Sequence, residues 1–192
     1  YFNKQKIQSI CNYNNTDSVD GLILLNRKDN LMIMDYYNND GSWETFCLNG
    51  LVCCSLILFK KYKNNYFDII SNNLVYKIEM IANNNVQVEI DRPSYKKENI
   101  IIDNYEGDYL NSGAKHLVIE YKEKWENIIE LKRKMKNMRY NEMFNPDGIN
   151  VNFYKIINPG KIEIKTYEKG IESMMASCAS GSYACAYDYR IK

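Results

Sequence analysis

The chain has 192 residues, 45% hydrophobic and 26% charged, with 25 Lys and Arg against 24 Asp and Glu. A formal net charge of +1 gives no field to draw nucleic acid or an anionic membrane. No segment approaches the roughly 20 apolar residues of a membrane span, and "YFNKQKIQSI" at the start lacks the apolar middle of a secretory leader. The length allows one large domain or two small ones with real cores.

In chain order, "GLILL" (21–25) and "LMIMDYY" (31–37) read as strands joined by a turn at 26–30. A helix is expected to follow Cys47 and run to about Tyr62, ending in a basic turn. "YFDII", "LVYKIEM" and "VQVEI" follow as a meander of short strands split by "SNN" and "ANNN". A polar stretch at about 92–112 separates the halves, giving expected domains of 1–105 and 106–192. Beyond it come a strand at 116–121 and an amphipathic helix at 123–136, apolar at 125, 128, 129, 131 and 135. The basic run at 132–136 is read as that helix's solvated face and last turn. Strands at 149–156 and 161–168 lead into a final helix over Cys178–Ile191. The Asn14-Asn15-Thr16 triplet fits the glycosylation pattern, but without a secretory signal it carries no weight.

The chain has six cysteines, unevenly spaced and without a Cys-x-x-Cys pair. With a single histidine, this argues against a disulfide framework and a structural zinc site. Thiols in a reducing cytoplasm are expected. Two of them head a repeated tetrapeptide, Cys47-Leu48-Asn49-Gly50 and Cys178-Ala179-Ser180-Gly181, each opening a helix, with Cys53 and Cys185 nearly in register. A helix start offers unpaired N–H groups and about half a positive charge. A thiolate is favoured there, and a carboxylate can be held by the same amides. Two such turns facing each other could clamp one carboxylate and place a sulfur on each face of its α-carbon. One sulfur would remove the proton and the other return one, which inverts an amino acid without a cofactor. The bland alternative is packing: Cys53, Cys54 and Cys185, inside helices, are read as small buried hydrophobes.

Five blocks in order resemble the diaminopimelate epimerases, cofactor-independent enzymes of lysine and peptidoglycan precursor synthesis. They are "SVDGLILL" (18–25), "YNNDGSWETFCLNGLVC" (37–53), "NSGAKHLVI" (111–119), "NPDGINVNF" (145–153) and "TYEKGIESMMASCASGS" (166–182). The resemblance implies an α/β (α+β) fold of two pseudo-symmetric domains, each a mostly antiparallel sheet wrapped around a central helix. It also implies that Cys47 and Cys178 are the catalytic pair. Asn49 and Ser180, with the backbone at Leu48 and Ala179, would clamp the carboxylate beside the reacting carbon. Asn38, Asn150, Glu168 and Lys169 would hold the far end of the substrate, while His116 and Glu168 would tune the thiols. A lone strand histidine is otherwise a structural residue, so both readings of His116 stay open.

The chain departs from the family pattern at several of these places. Ala114 and Lys115 stand where the family has Asn-Pro, and Lys169 stands where it has Arg, which a lysine cannot replace as a bidentate fork. Leu48 and Ala179 replace glycines, Met174 and Met175 replace Glu-Thr, and Val52 replaces Arg. Stereoinversion is implied more directly than diaminopimelate as the substrate. The alternatives are a racemase for another amino acid and a non-catalytic amino-acid-binding relative. The family's opening Gly-Asn-Asp stretch has no counterpart, and its closing strands would follow Lys192, so a fragment or a shortened variant is expected. The partner expected is a small amino-acid substrate, with no metal, nucleic acid or membrane, a homodimer possible, and a cytoplasmic location.

Overall fold

The computed structural model of the chain describes residues 2–12, 19–28, 31–44, 46–82 and 85–192. The Asn14-Asn15-Thr16 triplet, Ser18, Thr45, residues 29–30 of the turn expected at 26–30 and residues 83–84 lie outside them. Contacts divide the chain into two units, Tyr1–Asp91 and Arg92–Lys192. A division at 105/106 would fall inside β8 (Tyr105–Asn111), one residue past its start, and part it from its paired neighbour β7 (Ser94–Ile102).

The first unit opens with α1 (Lys4–Cys11), whose start is capped by Asn3 accepting the Lys6 N–H at 2.9 Å. Its sheet is built from β1 (Gly21–Lys28), β2 (Leu31–Asn38), β3 (Trp43–Glu44), β4 (Tyr66–Ser71), β5 (Leu74–Ala82) and β6 (Asn85–Val88). The order is β1-β2-β4-β5-β6, with β3 paired to β2. Along β2 every second residue is buried, Met32, Met34, Tyr36 and Asn38, as a strand covered on one face requires. The cover includes α2 (Leu48–Tyr62), whose Leu51, Cys54, Leu58 and Phe59 join Met32, Met34, Ile69 and Ile78 in one core. Burying each such aliphatic side chain contributes about 1.5–3 kcal/mol. The opposite side of α2 is open, and Cys53 lies there exposed with Ile57. Cys53 is therefore not the buried hydrophobe expected from its helical position. Cys54 and Cys185 are.

The second unit carries β7, β8, β9 (Lys115–Glu120), β10 (Asn150–Asn158), β11 (Lys161–Glu168) and β12 (Ser173–Met175) in the order β12-β11-β10-β9-β8-β7. Only β9 and β10 run parallel, and α3 (Ile128–Arg139) lies between them in the chain. This helix starts later than expected because Asn127 accepts the N–H groups of Ile129 and Glu130. The period of two sorts the sheet's residues between two helices. Leu117, Ile119, Val151, Phe153 and Tyr167 pack with Leu131, Met135 and Met138 of α3. Val118 and Tyr154 pack with Ala184 and Cys185 of α4 (Ala179–Ile191). Buried Asp188 pins α4 by accepting the hydroxyls of Tyr95 at 2.9 Å and Tyr154 at 3.0 Å.

One block occurs twice. An antiparallel hairpin, a short strand on its second arm and then a cysteine-headed helix make up β1-β2-β3-α2, and again β10-β11-β12-α4. The fold is α+β with two similar units, each a largely antiparallel sheet around its thiol helix.

Candidate active site

Both cysteines are helix caps. Cys47 precedes α2 at φ −129°, ψ 102°, and Cys178 precedes α4 at φ −132°, ψ 105°. The two backbones agree within a few degrees at each angle. Cys47 Sγ accepts the Gly50 N–H at 3.3 Å, and the Cys47 carbonyl accepts from Leu51 at 2.9 Å. The Cys178 carbonyl accepts from Ser182 at 2.8 Å, while its sulfur lies 3.7 Å from the Ser180 hydroxyl. Leu48 and Ala179 open the helices; Asn49 is exposed and Ser180 buried.

The glycine ending each tetrapeptide follows from close approach. A Cβ on Gly50 would lie 3.4 Å from Cys47 Sγ, and one on Gly181 3.3 Å from Cys178 Sγ. At Gly181 it would also come within 2.3 Å of Asn152 Oδ1, closer than atoms can pack.

Asn38 ends β2 and is buried. Its amide donates to Ser42 Oγ at 3.1 Å, and that hydroxyl donates to Asp40 Oδ1 at 2.5 Å. The "NNDGS" run is thus a tight turn organised around Asp40. Of the residues expected to hold the far end of a substrate, Asn150 is engaged at both ends of its amide. It donates to the Lys115 carbonyl at 3.0 Å and accepts the Lys169 N–H at 2.9 Å. It therefore ties β9 to the turn after β11 and fixes where Glu168 and Lys169 sit. Lys115 pairs with Asp147 at 3.0 Å, and the Lys115 ammonium holds the Asp147 carboxyl below its usual range.

His116 is fully buried on the α4 face of β9. Its Nε2 lies 3.1 Å from Ser180 Oγ and its Nδ1 3.0 Å from Asn152 Nδ2. Burial pushes its pKa down to about 3, so the imidazole is neutral near pH 7. A tuning effect of His116 on Cys178 would act through hydrogen bonding by way of Ser180, with no positive charge involved. Sequence reasoning missed Asn152, Thr166 and Ser112. Thr166 donates to Asn152 at 2.9 Å, and Ser112 Oγ to the Ser180 carbonyl at 2.8 Å. The available signal was parity, since His116, Asn152 and Thr166 share the face of their strands that carries Val118, Tyr154 and Ile164.

Solved structures of low sequence identity share this fold. A "Predicted Epimerase" from Pseudomonas aeruginosa superimposes with a TM-score of 0.65 at 10% identity, covering 100% of this chain and 73% of its own. A protein of the phenazine biosynthesis PhzF family from Enterococcus faecalis gives 0.60 at 12%, with the same coverage. The chain thus shares its architecture with these two proteins. Curated relatives are named diaminopimelate epimerase. That of Aquifex aeolicus is 30% identical over 94% of this chain and 67% of the relative. That of Thermotoga maritima is 32% identical over 93% and 72%, and that of Flavobacterium psychrophilum 32% over 96% and 70%. No family model matches. The chain belongs to the diaminopimelate epimerase family, and is by that membership an isomerase.

Proposed function

We propose that the chain is a cofactor-independent two-base amino-acid epimerase that interconverts LL- and meso-diaminopimelate, a step serving lysine and peptidoglycan precursor synthesis. The observation that carries this reading is the pair of cysteine-capped helices with matching backbone geometry and a glycine under each sulfur. One sulfur, as thiolate, takes the α-proton. The helix-start amides, with Asn49 and Ser180, stabilise charge spreading onto the carboxylate. The other thiol then protonates the opposite face. At the distal end, Asn38, Asn150, Glu168 and Lys169 set the grip, and Lys169 offers one ammonium in place of a guanidinium fork.

The test is to incubate LL-diaminopimelate in deuterated water with stoichiometric protein. Deuterium at one α-carbon and appearance of the meso isomer are expected. Cys47→Ala and Cys178→Ala should each abolish isomer formation. Absence of both exchange and isomer in the wild-type protein would leave a binding-only relative, and exchange with another amino acid alone would make it a different racemase.

A further inference from the structure

A row of buried polar side chains crosses the sheet beneath the start of α4, and its hydrogen-bond directions can be deduced one by one. The Leu117 carbonyl can only accept, and it lies 3.2 Å from Asn152 Nδ2. That atom is therefore the amide nitrogen. The other end of the amide, Oδ1, accepts the Thr166 hydroxyl at 2.9 Å, and Asn152 and Thr166 are directly paired across the β10–β11 ladder. The second Nδ2 proton points at His116 Nδ1, 3.0 Å away, so Nδ1 holds a lone pair. A neutral imidazole then carries its proton on Nε2, which faces Ser180 Oγ at 3.1 Å. With one lone pair of that oxygen taken, the hydroxyl proton points elsewhere, and Cys178 Sγ at 3.7 Å is within a sulfur hydrogen bond. Ser112 holds the same turn by its bond to the Ser180 carbonyl.

We propose that Asn152, locked by Thr166, is a positioning residue: it makes His116 a donor through Nε2 and so turns the Ser180 hydroxyl proton toward the Cys178 sulfur. A thiolate at Cys178 is then met by an O–H donor already aimed at it, in addition to the amides of the helix start. On α4, Cys185 lies within electrostatic reach of both Cys178 and Asp188, and burial pushes its thiol well up. The inference deepens the reading of Cys178 as one of the two acid–base groups, but its tests need neither substrate nor turnover.

The chain has one histidine, so 15N-labelled histidine in the wild-type protein reads its tautomer without assignment. The Nε2–H form is expected, unchanged between pH 5 and 8. An Nδ1–H form, or an imidazolium in that range, would overturn the proposal. Asn152→Leu should slow alkylation of Cys178 by about tenfold at pH 7, the rate change of one unit in thiol acidity, with the Cys47 rate as internal reference. Because Asn152 is fully buried and that variant could unfold, Thr166→Val serves as a second, smaller change and should slow Cys178 in the same direction. Unchanged Cys178 rates in folded variants would overturn the proposal. The tautomer would still stand if the epimerase reading failed through absence of α-deuterium exchange, so the two failures are distinguishable.

Discussion

At Gly181 the absence of a side chain is a geometric requirement, whereas at Gly50 it is a looser preference. A Cβ at Gly181 meets Asn152 Oδ1 at 2.3 Å, but at Gly50 its nearest neighbour is Ile23 Cδ1 at 3.3 Å. Gly181→Ala should therefore cost about 1–3 kcal/mol, as overpacking does. Gly50→Ala should stay within about 1 kcal/mol of wild type, because the helical gain from alanine offsets a mild contact. Chemical denaturation of both variants checks the contrast. His116 makes a second prediction. Its folded pKa of about 3 lies below the unfolded value of about 6.5, so the unfolded chain binds the extra proton between those values. Stability is then fully present above about pH 6.5 and falls as pH drops toward 3. Between pH 7 and 5 the loss should be about 2 kcal/mol, and it should vanish in His116→Gln if that variant folds. Urea midpoints at the two pH values measure it.

Between elements, the loop before β10 and the turn after β11 share one brace. Buried Arg139 at the end of α3 donates to Glu172 Oε1 at 2.8 Å and to the Asp147 carbonyl at 3.2 Å, and the Gly170 N–H joins the same Glu172 oxygen at 3.0 Å. Gly148, at φ 67°, leaves no room for a side chain against the guanidinium. These segments flank Asn150, Glu168 and Lys169, so the brace holds in place the backbone that carries all three. Arg139→Met should leave Glu172 uncompensated and cost about 2–4 kcal/mol, read by thermal melting. None of this was legible beforehand, since a buried Arg at a helix end looks like any other basic last turn. The hairpins, both thiol helices and β9 and β10 as separate strands were legible, because alternation and capping are local signals; the parallel pairing of β9 with β10 was not. The polar strand β7 was not. It is an edge strand carrying Lys96, Lys97 and Glu98, and charges that discourage edge pairing also erase alternation. Among site residues, the cysteines and their glycines stood out as a repeat. Asn152 and Thr166 meet only when the register is known.

For the whole molecule, the cysteines form a reactivity map that separates exposure from activation. Burial raises the thiols of Cys11 and Cys185, and that of Cys54 to about 12. These three should modify only on unfolding. Cys53 is exposed and should alkylate in the folded protein through access alone. Cys47 or Cys178 should already react at mildly acidic to neutral pH, and a carboxylate seated on the helix-start amides should slow it. Peptide mapping after limited alkylation distinguishes all six. The repeated hairpin, strand and thiol helix carries a further consequence. Its two copies share a backbone but dress their sulfurs differently: Cys47 takes a backbone N–H from Gly50, while Cys178 faces a side-chain hydroxyl backed by a neutral imidazole. A reaction that is nearly a mirror image of itself would thus be run by two unlike hands. The proton's outward and return journeys would cross different barriers, so primary deuterium isotope effects measured from the LL and meso sides should differ in size.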